Sequence, residues 1–269
     1  MSDDIGYFQV ENVRLRAEPA RDDCFTVVYR DADMHEHDDQ SSEAARRENL
    51  HRHMTNEMVS LEIAAACLYE FPDAPWELRL ELARQCWDES RHIRVLHRRL
   101  LEVGGFKGEF PIGTLEWNVT CAIDNLIGRL TTQNRTLEAG AMDVVGILAR
   151  NVRAAGDNET ADILEGILAD EVQHVRFANR WIKRLVAEDR RQLMKVASAV
   201  RFLMEANSKF QIKDGGEVNA IGVKLAPPEA RIPAVNVEDR KLAEFTDEEI
   251  HEILRQAGFR TLVPDTVPA

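Results

Sequence analysis

Two seven-residue strings carry the chemistry of this chain: DESRHIR at 88–94 and DEVQHVR at 170–176. They share Asp, Glu, His, a β-branched residue and Arg at identical offsets, so they form an internal repeat. In each, a glutamate precedes a histidine by three residues (Glu89 and His92, Glu171 and His174). On a helix that spacing projects a carboxylate and an imidazole from nearly one side, one turn apart. Carboxylate oxygen and imidazole nitrogen are the donors of a metal site or of an acid–base pair. One Glu-x-x-His is weak evidence, because it occurs by chance in many helical proteins; two copies inside one pattern are much stronger.

The elements that must position these residues follow from periodicity. Leu82, Cys86, Ile93, Leu96 and Leu100 repeat at helical spacing with Glu89 in the same series, so a carboxylate is aimed into a core. Leu164, Ile167, Val175, Ala178 and Ile182 do the same around Glu171. Four helices are expected at about 42–70, 76–103, 114–154 and 158–187, and a fifth at about 190–210. Pro72 and Pro75 separate the first two, and Gly156 with Asp157 or Asn158 as N-cap separates the third from the fourth. Short connections pair helices antiparallel, which gives two hairpins, and the glycine-rich GGFKGEFPIG between them suits a crossover. The fold class expected is therefore all-α, a four-helix bundle with an extra helix and irregular extensions.

Each hairpin then owes a matching acid on its first helix. Glu138 lies 33 residues before Glu171, and Glu57 lies 32 before Glu89. Both sit on apolar faces, Glu57 among Met54, Met58, Leu61, Ala64 and Leu68, and Glu138 among Leu130, Leu137, Ala141, Val145 and Leu148. Glu62 is a rival to Glu57, further round the helix, and Asp143 has the same offset from Glu138. Unpaired carboxylates in a core cost several kcal/mol each or take up protons. Two divalent cations remove that cost, since four carboxylates and two Fe(II) ions sum to zero charge.

The set of Glu plus Glu-x-x-His from each of two helix pairs resembles the ferritin-like superfamily, whose carboxylate-bridged dimetal sites are built this way. DESRH resembles the D-E-x-R-H element of diiron oxygenases, and NEMVSLEIAA, FPDAPWE and DEVQHVRFANRW resemble a ferritin-like family widespread in bacteria; the resemblance covers residues 50–187. It implies that Glu57 or Glu62, Glu89, His92, Glu138, Glu171 and His174 hold iron, with Glu57, Glu89, Glu138 and Glu171 the catalytic carboxylates. Asp88 and Asp170 would each accept a hydrogen bond from the far nitrogen of a ligating histidine and fix its tautomer. Arg91 has a counterpart in the oxygenase element; the second copy has Gln173 there.

Composition narrows the rest. A formal charge of −13 argues against a nucleic-acid partner. No apolar run reaches membrane-span length, and MSDDIGYFQV lacks the features of a secretory signal, so the expected location is cytoplasmic. Four cysteines without a C-x-x-C pair argue against a disulfide framework or a thiolate zinc site and read as small apolar fillers. His35 and His37, in the acidic linker DADMHEHDDQSSE, read as solvated. Residues 1–40 form an N-terminal extension with two stretches of strand character, YFQVENVRL and CFTVVYR; 41–210 form the bundle; 211–269 form a C-terminal arm with one short helix, capped by Thr246 and Glu249 and closed by Gly258.

The function expected is oxidation of a small organic substrate by hydroxylation, desaturation or N-oxygenation, using two Fe ions (or an Mn/Fe pair), O2 and an electron donor. The alternatives are iron handling of the ferritin or rubrerythrin kind, hydroxylation of transfer RNA, and a metal-free structural bundle. A homodimer is the default oligomer.

Overall fold

The computed structural model describes residues 6–28, 42–210 and 235–256. The chain is an all-α helical bundle with little strand. Helix α1 (Glu43–Glu70) starts at Ser42, whose hydroxyl accepts from the Ala45 amide, and stops at Phe71 ahead of Pro72. Helix α2 (Trp76–Glu102) starts behind Pro75 and packs along α1 as an antiparallel hairpin. Helices α5 (Ala139–Ala154) and α6 (Asn158–Glu188) form the second hairpin. Between them Gly156 takes φ 89, and Asp157 caps α6 by accepting from the Thr160 amide. The hairpins meet where α2 lies against α6. Among the described residues no helix is long and apolar enough to cross a membrane.

The single helix expected over 114–154 is instead α3 (Leu115–Thr120), α4 (Leu126–Thr132), a π-helical segment (Gln133–Glu138) and α5. Asn125 breaks the run: its side chain accepts from the Gly128 amide and caps α4, which requires an extended backbone where the periodic pattern demanded a helical one. The fifth helix, α7, spans Gln192–Phe210.

The expected strand YFQVENVRL is a two-stranded hairpin, β1 (Tyr7–Val10) and β2 (Val13–Arg16), turning at Glu11 with φ 52. Among the described residues of the second stretch, Val27–Val28 (β3) are extended and pair in parallel with Ile112–Gly113 (β4) from the crossover between the hairpins. Gly108 in that crossover has φ 84, and a Cβ there would meet the Cys24 carbonyl oxygen at 2.3 Å, so the close approach requires glycine. Cys67 and Cys121 are buried, but Cys24 is exposed and is no core filler.

The described part of the C-terminal arm, 235–256, lies on the second hairpin. Helices α8 (Val237–Leu242) and α9 (Asp247–Gln256) pack Ala243, Phe245 and Ile250 against Ala139, Met142, Val172 and Val175. The capping box at α9 is formed as the sequence implies, with Thr246 N donating to Glu249 at 2.8 Å and Glu249 N to Thr246 Oγ1 at 3.2 Å. Gly258, His35 and His37 lie outside the described residues.

Candidate metal centre

The ligand residues form a polar layer between two apolar ones. On one side Val59, Ile63, Leu78, Leu82, Leu130 and Phe177 cluster; on the other, Leu50, Met54, Leu96, Leu100 and Ile167. Glu57, Glu89 and Glu171 each fall between members of the two clusters along their own helices, which is how apolar periodicity delivers a carboxylate to mid-bundle. Glu57, Glu89, His92, Glu138, Glu171 and His174 are all buried.

Their ligand atoms fall into two groups, Glu57, Glu89, His92 and Glu171, and Glu89, Glu138, Glu171 and His174, each with all atoms within 4.8 Å of one another. Glu89 and Glu171 belong to both. His92 Nδ1 is 3.1 Å from Glu89 Oε2 and 3.6 Å from Glu171 Oε1, while His174 Nδ1 is 3.4 Å from Glu89 Oε1 and 3.4 Å from Glu171 Oε2. Each of these two carboxylates thus turns one oxygen to each histidine. Glu57 and Glu138 each serve one group, and Glu57 Oε2 lies 3.3 Å from His92 Nδ1.

The far nitrogens cross over. His92 Nε2 is 3.1 Å from Asp170, and His174 Nε2 is 3.4 Å from Asp88, so each acid holds the histidine of the opposite repeat. Arg91 ties the two acids together, 2.6 Å from Asp88 and 2.8 Å from Asp170. Arg84 also pairs with Asp88 at 2.9 Å. Gln173, which replaces arginine in the second copy, is exposed.

Glu62 is not brought to the cluster. Arg21 holds it by two hydrogen bonds of 2.8 and 2.7 Å, so the first-helix acid of the centre is Glu57. Asp143, its positional equivalent, is likewise held by Arg240 at 2.6 Å. Each terminal segment therefore docks by an arginine on the acid five residues beyond a ligand glutamate.

Residues without ligand patterning complete the site. His53 Nε2 lies 2.7 Å from Glu57 Oε1. Gln85 donates to Glu138 Oε1 at 2.6 Å and to Glu89 Oε1 at 3.2 Å; Asn134 donates to Glu138 Oε2 at 2.8 Å. Gln133 donates to Glu116 at 2.7 Å, to Ser60 at 3.1 Å and to Glu138 at 3.4 Å. The π-helical segment makes this possible, because i→i+5 winding brings Gln133 and Glu138 to one buried side. It also turns Leu137, expected on the face of Glu138, away against Val13, Leu15 and Leu203. On α2 the buried series runs through Gln85, with Cys86 and Ile93 only partly buried.

Proton affinities reflect a concentration of charge. Burial, with the charges of Glu171 and Glu57, drives Glu89 well above the ordinary carboxylate range. Burial and Glu171 lift Glu138 to about 8, and burial lifts Glu116 to about 7. Burial acts in the same direction on Glu57, but hydrogen bonds from His53 and His92 outweigh it and hold Glu57 well below the usual value. Burial alone would lower His92; Glu57 and Glu89 raise it to about 11 instead. The protons that the cluster retains are the counter-charge a metal-free core needs.

These residues are compatible with a metal site. Glu171 Oε1 is buried without a hydrogen-bond partner among the described residues, an expensive state for a carboxylate oxygen unless it is a ligand. Two imidazole nitrogens and four carboxylates converge from four helical segments, and the outer nitrogens already have acceptors. This is a buried carboxylate–histidine cluster in a helical bundle, within metal-binding distance and with two groups of donors sharing two carboxylates. The chain belongs to a family described as a protein of unknown function (DUF455), whose model matches residues 6–251, so membership takes in both terminal segments that dock on the bundle. No curated protein and no solved structure matches it.

Proposed function

We propose that the chain is a ferritin-like, dinuclear iron oxidase or oxygenase that uses O2 and an external electron donor to oxidise a small organic substrate. The observation that carries this reading is the sharing of Glu89 and Glu171 between two groups of ligand atoms, since a mononuclear site has no use for a second imidazole and a fourth carboxylate. When bound, two ferrous ions would supply the electrons and the coordination positions needed to activate O2.

The protein's own contribution is positional and electrostatic. Glu57 and His92 would hold one ion and Glu138 and His174 the other, with Glu89 and Glu171 within reach of both. Asp170 and Asp88 accept from Nε2–H of the two histidines, so that once Nδ1 gives up its proton it is the nitrogen that would ligate. Gln85 and Asn134 fix both oxygens of Glu138. Glu57 is fixed by His53 instead, so the two ends of the site are chemically unlike. The apolar clusters above and below exclude water from the layer.

The reading is tested by iron analysis of protein loaded anaerobically, followed by oxygen uptake. It predicts two irons per chain and O2 consumption that depends on them. Rapid oxidation with deposition of many irons per chain would favour storage, and no retained metal would favour a purely structural cluster.

A further inference from the structure

Helix α2 carries a second apolar stripe, on the side opposite the ligands. Trp76, Leu80, Ala83 and Trp87 follow a 4, 3, 4 spacing, so Trp76 and Ala83, like Leu80 and Trp87, are seven residues apart. All four are exposed, Trp76 by 68 %, Leu80 by 52 % and Trp87 by 60 %. A seam repeating at 3.5 residues is what one helix offers to another in a coiled-coil contact. Two tryptophans and a leucine left in water on one face of a single helix mark an interaction surface.

We infer that this face is a two-fold interface, covered by the same face of a second copy of the chain with the two α2 helices antiparallel. The stripe complements itself in size and charge. In the register that sets Trp76 opposite Trp87, Leu80 falls opposite Ala83, a large residue over a small one. In that same register Glu77 lies level with Cys86 of the other copy and two residues along from its Arg84, on the same flank of the seam, where two long side chains can pair, and two-fold symmetry makes each of these contacts twice. Glu77 is exposed, and Arg84 keeps 63 % of its side-chain surface while using its Nε on Asp88. A surface that fits itself this way selects a copy of itself over an unrelated partner.

The test is sedimentation equilibrium on the full-length protein. The wild type is expected to be a dimer. Leu80→Glu combined with Trp87→Glu is expected to yield a monomer of unchanged helix content by circular dichroism. Glu77→Lys and Arg84→Glu, each alone, place like charges near one another and should weaken the dimer by about tenfold or more. Mixed together, the two single variants should recover wild-type affinity, because each then supplies the charge the other lacks. A monomeric wild type, a dimer indifferent to the Leu80 and Trp87 changes, or mixed variants that fail to recover would each overturn the inference.

Discussion

Asp170, from the second repeat, lies 3.1 Å from Nε2 of His92, from the first. Asp88 returns the contact to His174 at 3.4 Å, so each half of the repeat orients the ligand of the other half. Neither hairpin alone supplies either group of donor atoms, so the cluster forms only where α2 docks on α6.

From this crossing, Asp170→Asn is expected to weaken metal binding about 10- to 100-fold, the range for loss of an acceptor behind a ligating histidine. Competition with a coloured chelator measures it. An unchanged affinity would mean that the acid does not set the His92 tautomer.

Bridging and terminal carboxylates should separate by stoichiometry. Glu89→Gln and Glu171→Gln remove an oxygen donor from both groups and are expected to abolish retention of both ions, whereas Glu57→Gln and Glu138→Gln each touch one group and should leave about one ion per chain. Metal analysis after gel filtration decides between them. Equal losses in all four variants would contradict the shared arrangement.

The pH dependence has a definite sign. Glu138, raised to about 8, Glu89, raised further above the carboxylate range, and His92, raised to about 11, all bind protons more tightly in the folded metal-free protein than in the unfolded chain. Their stabilisation is complete at low pH and is lost as pH rises toward the folded values, so metal-free protein should lose stability between about pH 5 and 8. Glu57 and Asp88 are shifted down and act the other way, but only as pH falls below the ordinary carboxylate range. On the proposed reading, bound metal would displace the retained protons. The rise in melting temperature on metal binding should therefore be larger near pH 8 than near pH 6, as scanning calorimetry would reveal.

Docking of the C-terminal arm rests on Arg240, which donates to Asp143 at 2.6 Å and to the Ala139 carbonyl at 2.9 Å, next to Glu138. Arg240→Ala leaves a mostly buried carboxylate without its cation and is expected to destabilise the fold by about 2–4 kcal/mol in urea unfolding. Adding Asp143→Asn should recover part of that loss, because the stranded charge is gone.

Much of this was legible in the sequence because it is periodic. Glu57, Glu89, His92, Glu138, Glu171 and His174 stand on helical apolar faces, and the repeat at 88–94 and 170–176 predicts their convergence, while the roles expected of Asp88 and Asp170 come from the ferritin-like resemblance. Pro75, Asp157 and Thr246 mark helix starts by local chemistry, and the structure uses all three. The π-helical segment escaped because a 3.6-residue template contains no register for i→i+5 winding. Gln133 and Asn134 escaped with it, since uncharged amides are common on exposed helix faces. Gln85 left a signal in its spacing: Leu82, Gln85, Glu89, His92 and Leu96 are the buried series, and an amide inside such a series is the mark of a ligand's partner. Glu62 stands further round the helix than Glu57, which ranks it second in the sequence; what holds it away is Arg21, 41 residues distant, a contact that no local pattern encodes.

The proposed centre sets two metal ions side by side between Glu89 and Glu171. Anomalous diffraction at the iron absorption edge, on crystals of the iron-loaded protein, tests it most directly. Two peaks about 3.5–4 Å apart are expected, one beside Glu57 and His92 and the other beside Glu138 and His174. A single peak, or none within reach of His92 and His174 Nδ1, would contradict a dinuclear centre.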